Sequence, residues 1–434
     1  MIAILIFAGR SRRFWPLKEK SFFPVCGTTL LQEQVRRLRD AGVKKILLVA
    51  GAHNKAQAKR LFPSLQMVEQ ADLDLGMRGA LLSALPICGK GPVMVVSSND
   101  LIDASAYRAL CVRAKVEPKT GLILARQVST YFPGGYLSLQ KKRITGIVEK
   151  PVPGTEPSSF VNIVAHVHPS APKLLAALKH VKSTRDDGYE AALAALFVVE
   201  RYEAVLYEGS WHAIKYPWHL LSLLPSLLPQ GKGPKIARSA SIHASAVIEG
   251  SVVISEGVRV MPHATIIGPC YIGPHTIIAN NTLVRGSSIG ARCVIGYNTE
   301  IARSMLGDDV WTHSSYVGDS VFANNISLGA GTTTGNLRLN EGEIVSIVEG
   351  KKIATGCTKL GAVIGEGCRL GIHTCLFPGV KIGGGTFVSS STLVSEDVPE
   401  RSFVKEQRSL LVIRENKEHA TLPKDRKEFR KKLG

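Results

Sequence analysis

Aliphatic side chains recur at every sixth position from Ile242: Ile242, Ile248, Ile254, Val260, Ile266, Ile272, Ile278 and Val284. The beat returns at Ile364, Leu370, Leu376, Ile382, Val388 and Val394. A period of six fits neither the turn of a helix nor the alternation of an ordinary strand. It predicts a solenoid of short flat strands that turn corners, one inward aliphatic per side stacking on its counterpart a coil away. Gly268-Pro269, Gly273-Pro274 and Asn280-Asn281 fall between the beats, where corners call for tight or positive-φ turns. Unrelated hairpins would not hold this register so long.

The first half has a different pattern. Apolar runs at 2–7, 45–50 and 93–97 read as strands, and 30–41 and 77–85 read as helices. Their alternation predicts a mostly parallel, doubly wound (Rossmann-like) sheet, with ligands at the carboxyl ends of its strands. The stretch Pro229-Gln230-Gly231-Lys232-Gly233-Pro234 reads as a linker. The expected division is a domain at 1–232, a solenoid at 233–403 and a basic tail at 404–434.

Composition narrows the function classes. Hydrophobic residues make up 45% and charged residues 21%, an ordinary globular balance. No apolar run approaches the length of a membrane span, and residues 2–7 lack the basic lead of a signal peptide. The eight cysteines show no C-x-x-C spacing, which predicts reduced thiols, a cytoplasmic location and no membrane partner. The net charge of +19 fits anionic partners. About a quarter of it lies in 405–432, where Phe429 is the only aromatic, so the base-stacking side chains of a nucleic-acid surface are missing and nucleic acid is disfavoured.

In the first half, Ala8-Gly9-Arg10-Ser11-Arg12-Arg13 follows the first strand, and Lys20 and Pro24-Val25-Cys26-Gly27 come next. Such a loop either cradles phosphates with backbone N–H groups and guanidinium forks or is only a basic turn. Asp100 ends the third strand, placed either to ligate magnesium or to cap the following helix. These residues resemble the sugar-1-phosphate nucleotidylyltransferases, whose signature is G-x-G-T-R, a P-K lysine and a P-(L/V)-x-G turn. The resemblance continues through Gln70 with Leu75-Gly76, Gly135-Tyr136, Gly146-Ile147-Val148-Glu149-Lys150, Asn162 and Gly209-Ser210-Trp211. It implies in-line attack of a sugar 1-phosphate on the α-phosphorus of a nucleoside triphosphate. Gly9, Arg13, Lys20, Gln70 and Gly76 would hold the nucleotide, Asp100 the Mg2+, and Glu149 and Asn162 the sugar. The departures are Ser11, Arg12, Glu19, Met77 and above all Ala213, which stands where the family has its second metal carboxylate.

In the second half the beat of six lapses between Val284 and Ile364. Within it, 303–359 contains His313-Ser314-Ser315-Tyr316-Val317-Gly318-Asp319, Gly329-Ala330-Gly331-Thr332, Asn336-Leu337-Arg338 and Thr355-Gly356-Cys357-Thr358-Lys359-Leu360-Gly361-Ala362. A histidine on a rigid coil suits a general base. This set is similar to the acetyltransferase half of bifunctional glucosamine-1-phosphate acetyltransferases/uridylyltransferases, and Asn-Leu-Arg with Lys-Leu-Gly-Ala resembles their archaeal-type relatives. The resemblance implies a left-handed parallel β-helix of hexapeptide repeats, a homotrimer, and acetyl-CoA as donor. His313 would take the proton of the sugar amine. Arg285, Arg303, Tyr316, Asn336 and Lys359 would grip the sugar phosphate, and Ala330, Gly371 and Ser390 would line the acetyl-CoA groove. Ser327 and Ala302 replace an asparagine and a lysine of the family, with Arg303 beside the latter. His243, His263, His275 and His373 also lie in the solenoid, without spacing that converges on one metal tripod.

The expected function is acetyl transfer to an amino-sugar 1-phosphate, glucosamine 1-phosphate first, followed by coupling of the product to UTP. The alternatives are acetyl transfer alone beside a non-catalytic first domain, and a regulatory or scaffold subunit of the kind found among translation-initiation exchange factors.

Overall fold

The computed structural model describes residues 1–182 and 187–406, so the expected basic tail lies outside the described residues apart from 404–406. The chain packs as two units. One joins Met1–Arg10 to Leu30–Ile214, and the other joins Ser11–Thr29 to the chain from Lys215 onward.

Along the chain, β1 (Ile2–Ile6) leads through the hairpin of β2 (Pro24–Val25) and β3 (Thr28–Thr29) to α1 (Leu30–Asp40), β4 (Lys45–Ala50), α2 (Ala52–Leu61) and β5 (Gln66–Glu69). Then come α3 (Gly76–Ala84), β6 (Val93–Ser97), β7 (Asp100–Ile102), α4 (Ala104–Val116), β8 (Gly121–Gln127), β9 (Gly135–Gln140) and β10 (Arg143–Glu149). The first unit ends with β11 (Phe160–His168), α5 (Ala171–His180), α6 (Gly188–Val199), β12 (Tyr202–Leu206) and β13 (Trp211–Ala213). The sheet order is β5-β4-β1-β6-β11-β8-β12-β10-β9. From β5 to β6 it is parallel, and β8 pairs parallel with β12. β11 enters antiparallel to both β6 and β8, so the sheet is mixed rather than uniformly parallel. The continuous apolar runs Ile2–Ile6 and Lys45–Ala50 are the central strands of its parallel half, as burial on both faces requires.

Two histidines lie in this core. His166 and His168 on β11 are fully buried. Tyr189 Oη lies 2.8 Å from His166 Nδ1 and 2.9 Å from His168 Nε2, and Tyr202 Oη lies 2.8 Å from His168 Nδ1. Burial without a counter-charge pushes both imidazoles down to about 3, so both are neutral.

The second unit is a parallel β-helix with three faces. The first face runs from the strand Lys235–Ile236 to Lys381–Ile382, the second from Ser241–Ile242 to Phe403–Val404, and the third from Val247–Glu249 to Leu393–Val394. The beat read from the sequence is the inward stack: Ile248 pairs with Ile266 and Ile266 with Val284, one coil of eighteen residues apart each time. These side chains form one continuous buried column. His263, His275 and His373 occupy corners with φ of 59°, 57° and 54°. They are turn formers in the left-handed region, and among the described residues no three His, Cys, Asp or Glu gather as a metal set.

The lapse in the beat is not a break in the solenoid. Val284 pairs with Ile301 and Ile301 with Val317, so the coils continue with seventeen and sixteen residues. In these coils each corner from the third face to the first loses a residue, where Gly286, Arg303 and Asp319 have φ of 57°, 48° and 48°, and the sixteen-residue coil loses a second between Thr312 and Val317, at the corner that carries His313. Serines fit these short corners. Ser287, Ser304 and Ser320 are wholly buried, and each Oγ donates to the carbonyl two residues back. Each also accepts the N–H one coil on, from Ser304, Ser320 and Ala362 in turn. Among the described residues one true insertion leaves the coil, residues 336–360, where Phe322 pairs directly with Ile364. Its hairpin, Val345–Val348 with Lys351–Ala354, is tied down by Lys381, whose Nζ donates to Ser346 Oγ at 2.6 Å and Ile347 O at 2.7 Å and pairs with Asp397. Ile344 and Leu360 of the insertion pack on Trp218, which precedes α7 (His219–Leu227).

The first face is covered from outside by its own unit. The Cys26 N–H donates to Ser288 Oγ at 3.0 Å, Trp15 stacks on the Lys381 ammonium, and α7 packs on the strand Met305–Leu306. The segment Ser11–Thr29, which carries most of the predicted phosphate loop, is therefore part of the β-helix unit.

Candidate functional site

In the first unit, two of the predicted sugar residues come together. Glu149 faces Gly135 across β9–β10, and Asn162 follows the residue paired with Tyr136. A Cβ at Gly135 would lie 2.8 Å from Asn162 Oδ1 and 3.1 Å from Glu149 Oε2, so only glycine lets the two polar groups close over this strand. Gln70 is turned to its own loop, its Nε2 donating to Asp72 O at 2.7 Å and Gly76 O at 2.8 Å. Gly9 lies in this unit with them, whereas Arg13 and Lys20 belong to the other, Lys20 on a buried helical turn.

Asp100 opens β7, and the antiparallel pairing with β13 sets Ala213 directly opposite it. Asp100 Oδ1 accepts the indole N–H of Trp211 at 2.8 Å. The donor set does not fit a two-carboxylate magnesium site: the residue opposite ends in a methyl group, and one Asp100 oxygen is bound to an indole. Next to it, Asp103 Oδ2 accepts from Tyr207 Oη at 2.8 Å and the Ser210 N–H at 2.9 Å, which fixes the strand that carries Trp211.

On the β-helix the predicted acetyl-transfer residues fall on one face and its two edges. His313 is exposed at the edge between the second and third faces. Ala330, Gly371 and Ser390 follow along this edge. The Gly331 N–H donates to His313 O, the His373 N–H to Ala330 O, and a Cβ at Gly371 would meet Ser390 N at 2.5 Å. Successive coils are about 4.8 Å apart, so these four residues line one edge of the prism.

Tyr316 lies on the third face, one strand along from His313. Its hydroxyl accepts from Asn336 Nδ2 at 3.1 Å. Both side chains lie over Gly318, where a Cβ would sit 2.4 Å from Tyr316 Oη and 2.8 Å from Asn336 Nδ2. Asn336 and Lys359 form the neck of the insertion: Leu337 bridges Lys359, and the Leu360 N–H donates to Asn336 O at 2.9 Å.

At the far edge Arg303 grips Asp319 with both arms, Nε to Oδ1 at 2.7 Å and Nη2 to Oδ2 at 2.6 Å. Asp319 first, then its charge and the Tyr316 side chain, holds the guanidinium above its ordinary value against the pull of burial. Asn336 Nδ2 also donates to Asp319 Oδ2 at 2.5 Å. Arg285 pairs with Glu300, through Nε at 2.9 Å and Nη2 at 2.6 Å. Ala302, the residue in place of a lysine, lies between Arg285 and Gly318 in register and is buried. Sequence reasoning missed Glu300 and the central place of Asp319. The signal for Asp319 was present, since it follows Gly318 where the coil is one residue short.

The model of the MobA-like NTP transferase domain matches residues 3–244, and that of the GMPPB C-terminal domain matches residues 233–330. A bifunctional sugar-1-phosphate nucleotidylyltransferase/acetyltransferase of Sulfurisphaera tokodaii is 29% identical over 93% of this chain and 100% of its own length. A bifunctional protein GlmU of Methanococcus vannielii is 27% identical over 96% of this chain and 100% of its own. Among solved structures, an apo UDP-glucose pyrophosphorylase aligns with 50% of this chain and 94% of its own, at 17% identity and a TM-score of 0.44. With more than half of its length matched by one family model and relatives aligned along nearly all of it, the chain belongs to the MobA-like NTP transferase domain family, among bifunctional sugar-1-phosphate nucleotidylyltransferase/acetyltransferase homologues.

Proposed function

We propose that the chain acetylates an amino-sugar 1-phosphate, glucosamine 1-phosphate first, on the third face of its β-helix. The carrying observation is the placement of His313 on one edge, the Tyr316–Asn336 pair beside it and Lys359 at the insertion neck. In this reading His313 takes a proton from the sugar amine as the nitrogen attacks the thioester carbonyl of acetyl-CoA. The C–N bond forms, the C–S bond breaks, and CoA leaves as the thiolate that is then protonated. Ala330, Gly371 and Ser390 line the edge along which the CoA chain extends. Lys359 and the arginines meet the phosphate, and the basic surface suits anionic substrates. The active assembly is a homotrimer working in the cytoplasm.

A specific observation favours the narrower of two readings of the first unit. Trp211 bound to Asp100, with Ala213 opposite, supports a unit that binds a sugar nucleotide through Glu149 and Asn162 without transferring a nucleotidyl group. The test supplies purified protein with glucosamine 1-phosphate and acetyl-CoA, and separately with N-acetylglucosamine 1-phosphate, UTP and magnesium. Free CoA in the first assay is expected, and pyrophosphate in the second is not. No CoA from either glucosamine or galactosamine 1-phosphate would sink the proposal; ready pyrophosphate release would sink the narrower reading.

A further inference from the structure

Asn336 has two faces to offer, an amide NH2 that donates and a carbonyl oxygen that accepts. Which one meets a ligand depends on how the amide is rotated, and the structure contains a group that decides it. A carboxylate only accepts, so beside Asp319 the amide must turn its Nδ2 inward, where it reaches Asp319 Oδ2 at 2.5 Å and Tyr316 Oη at 3.1 Å. The same carboxylate takes Nε and Nη2 of Arg303, and the Tyr316 side chain also meets the guanidinium, so the fork is held from two sides with its Nη1/Nη2 edge turned from Asp319. Asp319 is itself tied down through its backbone. It is 7% exposed, sits at a left-handed corner with its N–H bonded to Ala302 O, and its carbonyl accepts the Gly361 N–H. One fixed acceptor therefore sets two side chains that approach the face from different coils.

Resting on the reading of this face as the amino-sugar 1-phosphate site, we propose that Asp319 is its positioning residue, holding Asn336 so that the amide carbonyl accepts from the sugar and holding Arg303 so that one guanidinium edge remains for the ligand. Asp319 touches no reacting atom. A hydroxyl or amine of the sugar is recognised by an acceptor, and Asp319 is the reason Asn336 supplies one. Glu300 plays a parallel part for Arg285 at the preceding coil, through a single carboxylate oxygen and without an amide to orient.

The test is Asp319→Asn, isosteric and equally tolerant of the left-handed corner. An NH2 in the place of Oδ2 would face both Arg303 Nη2 and the Asn336 NH2, donor against donor, and the Asn336 amide turns over to relieve it; in the place of Oδ1 it would face Arg303 Nε and open the fork. The KM for glucosamine 1-phosphate is expected to rise about ten- to a hundredfold, the effect of one buried hydrogen bond left unmade, with the KM for acetyl-CoA unchanged and kcat moved less. Calorimetric affinity for glucosamine 1-phosphate alone is expected to fall by the same factor, whether or not turnover occurs. Ser320→Ala at the same corner breaks the serine ladder and not the network, so it should lower melting temperature with both KM values unchanged. Arg303→Lys, which keeps charge but loses the fork, raises the same KM by a smaller factor and reads the network should the Asn variant fold poorly. Asp319→Asn binding the sugar phosphate as the wild type does, or raising both KM values equally, would overturn the positioning role. A wild type that neither binds nor acetylates amino-sugar 1-phosphates would overturn the reading of the face instead.

Discussion

Asp100 opens a short strand and Asp319 follows one, and both carboxylates accept hydrogen bonds from nearby side chains. Their neighbours in register make them different. Opposite Asp100 stands Ala213, and the indole of Trp211 takes one of its oxygens. Beside Asp319 stand Arg303 one coil before and Asn336 across the face, and every contact made there organises a further group. Holding a divalent ion against phosphates calls for converging anionic oxygens, and the residue opposite Asp100 supplies none. Reading an amine and a phosphate, as proposed for the third face, calls for oriented neutral and cationic groups, and Asn336 and Arg303 are such groups. A carboxylate in a candidate site is informative only with the residue that faces it.

The largest expected effect tests the intact side of that comparison. His313→Ala should reduce CoA release about a hundred- to ten-thousandfold, the range for a lost general base. His313 is exposed on a corner and outside the hydrophobic column, so the melting temperature and oligomeric state should not change. CoA release within a few fold of wild type would remove His313 from the reaction. The next effect tests the deficient side. Ala213→Asp places a carboxylate opposite Asp100, and combined with Trp211→Phe it also releases the oxygen bound by the indole. Magnesium-dependent pyrophosphate release from UTP and N-acetylglucosamine 1-phosphate should rise at least about tenfold over wild type, since each carboxylate adds charge to the metal site. No gain from the double variant would show that Ala213 is not what limits the first site.

How much of this was legible beforehand follows from what each pattern encodes. The stack from Ile242 to Val284 was legible because a coil side is a local period and burial demands an aliphatic at each one. Residues 30–41 and 45–50 were legible from equally local signals, a helical apolar face in the first and a continuous apolar run buried on both faces in the second. The coils between Val284 and Ile364 were not, since corners one residue short shift the beat while the register continues through Ile289, Leu306 and Phe322. Ser11–Thr29 was assigned with the first half by proximity in sequence, but its packing partners, Tyr271, Ser288 and Lys381, lie more than two hundred residues away. Of the site, His313, Tyr316, Asn336 and Lys359 could be named from a motif. That Asp319 joins Arg303 to Asn336 depends on three coils coming into register, which no local spacing states.

Acid separates the two units by stability rather than by rate. His166 and His168, held neutral by burial at about 3, take no proton in the folded first unit above that value. In the unfolded chain an imidazole titrates near 6.5. Unfolding therefore takes up protons below 6.5. The contribution of the pair is fully present above that pH and is lost as pH falls from 6.5 toward 3. Each histidine removes about 1.4 kcal/mol per pH unit, roughly 3 kcal/mol for the pair by pH 5.5. Among the described residues these are the only fully buried histidines, and those on the β-helix corners, His263, His275 and His373, are exposed. Urea unfolding followed by site-specific fluorescence in each unit should show the first unit's midpoint falling between pH 7.5 and 5.5 while that of the β-helix stays nearly constant. Equal shifts in both units would mean that the buried pair does not set the acid sensitivity. A first unit that softens alone, with CoA release persisting after it does, would show that the proposed acetyl-transfer face depends on its own coils.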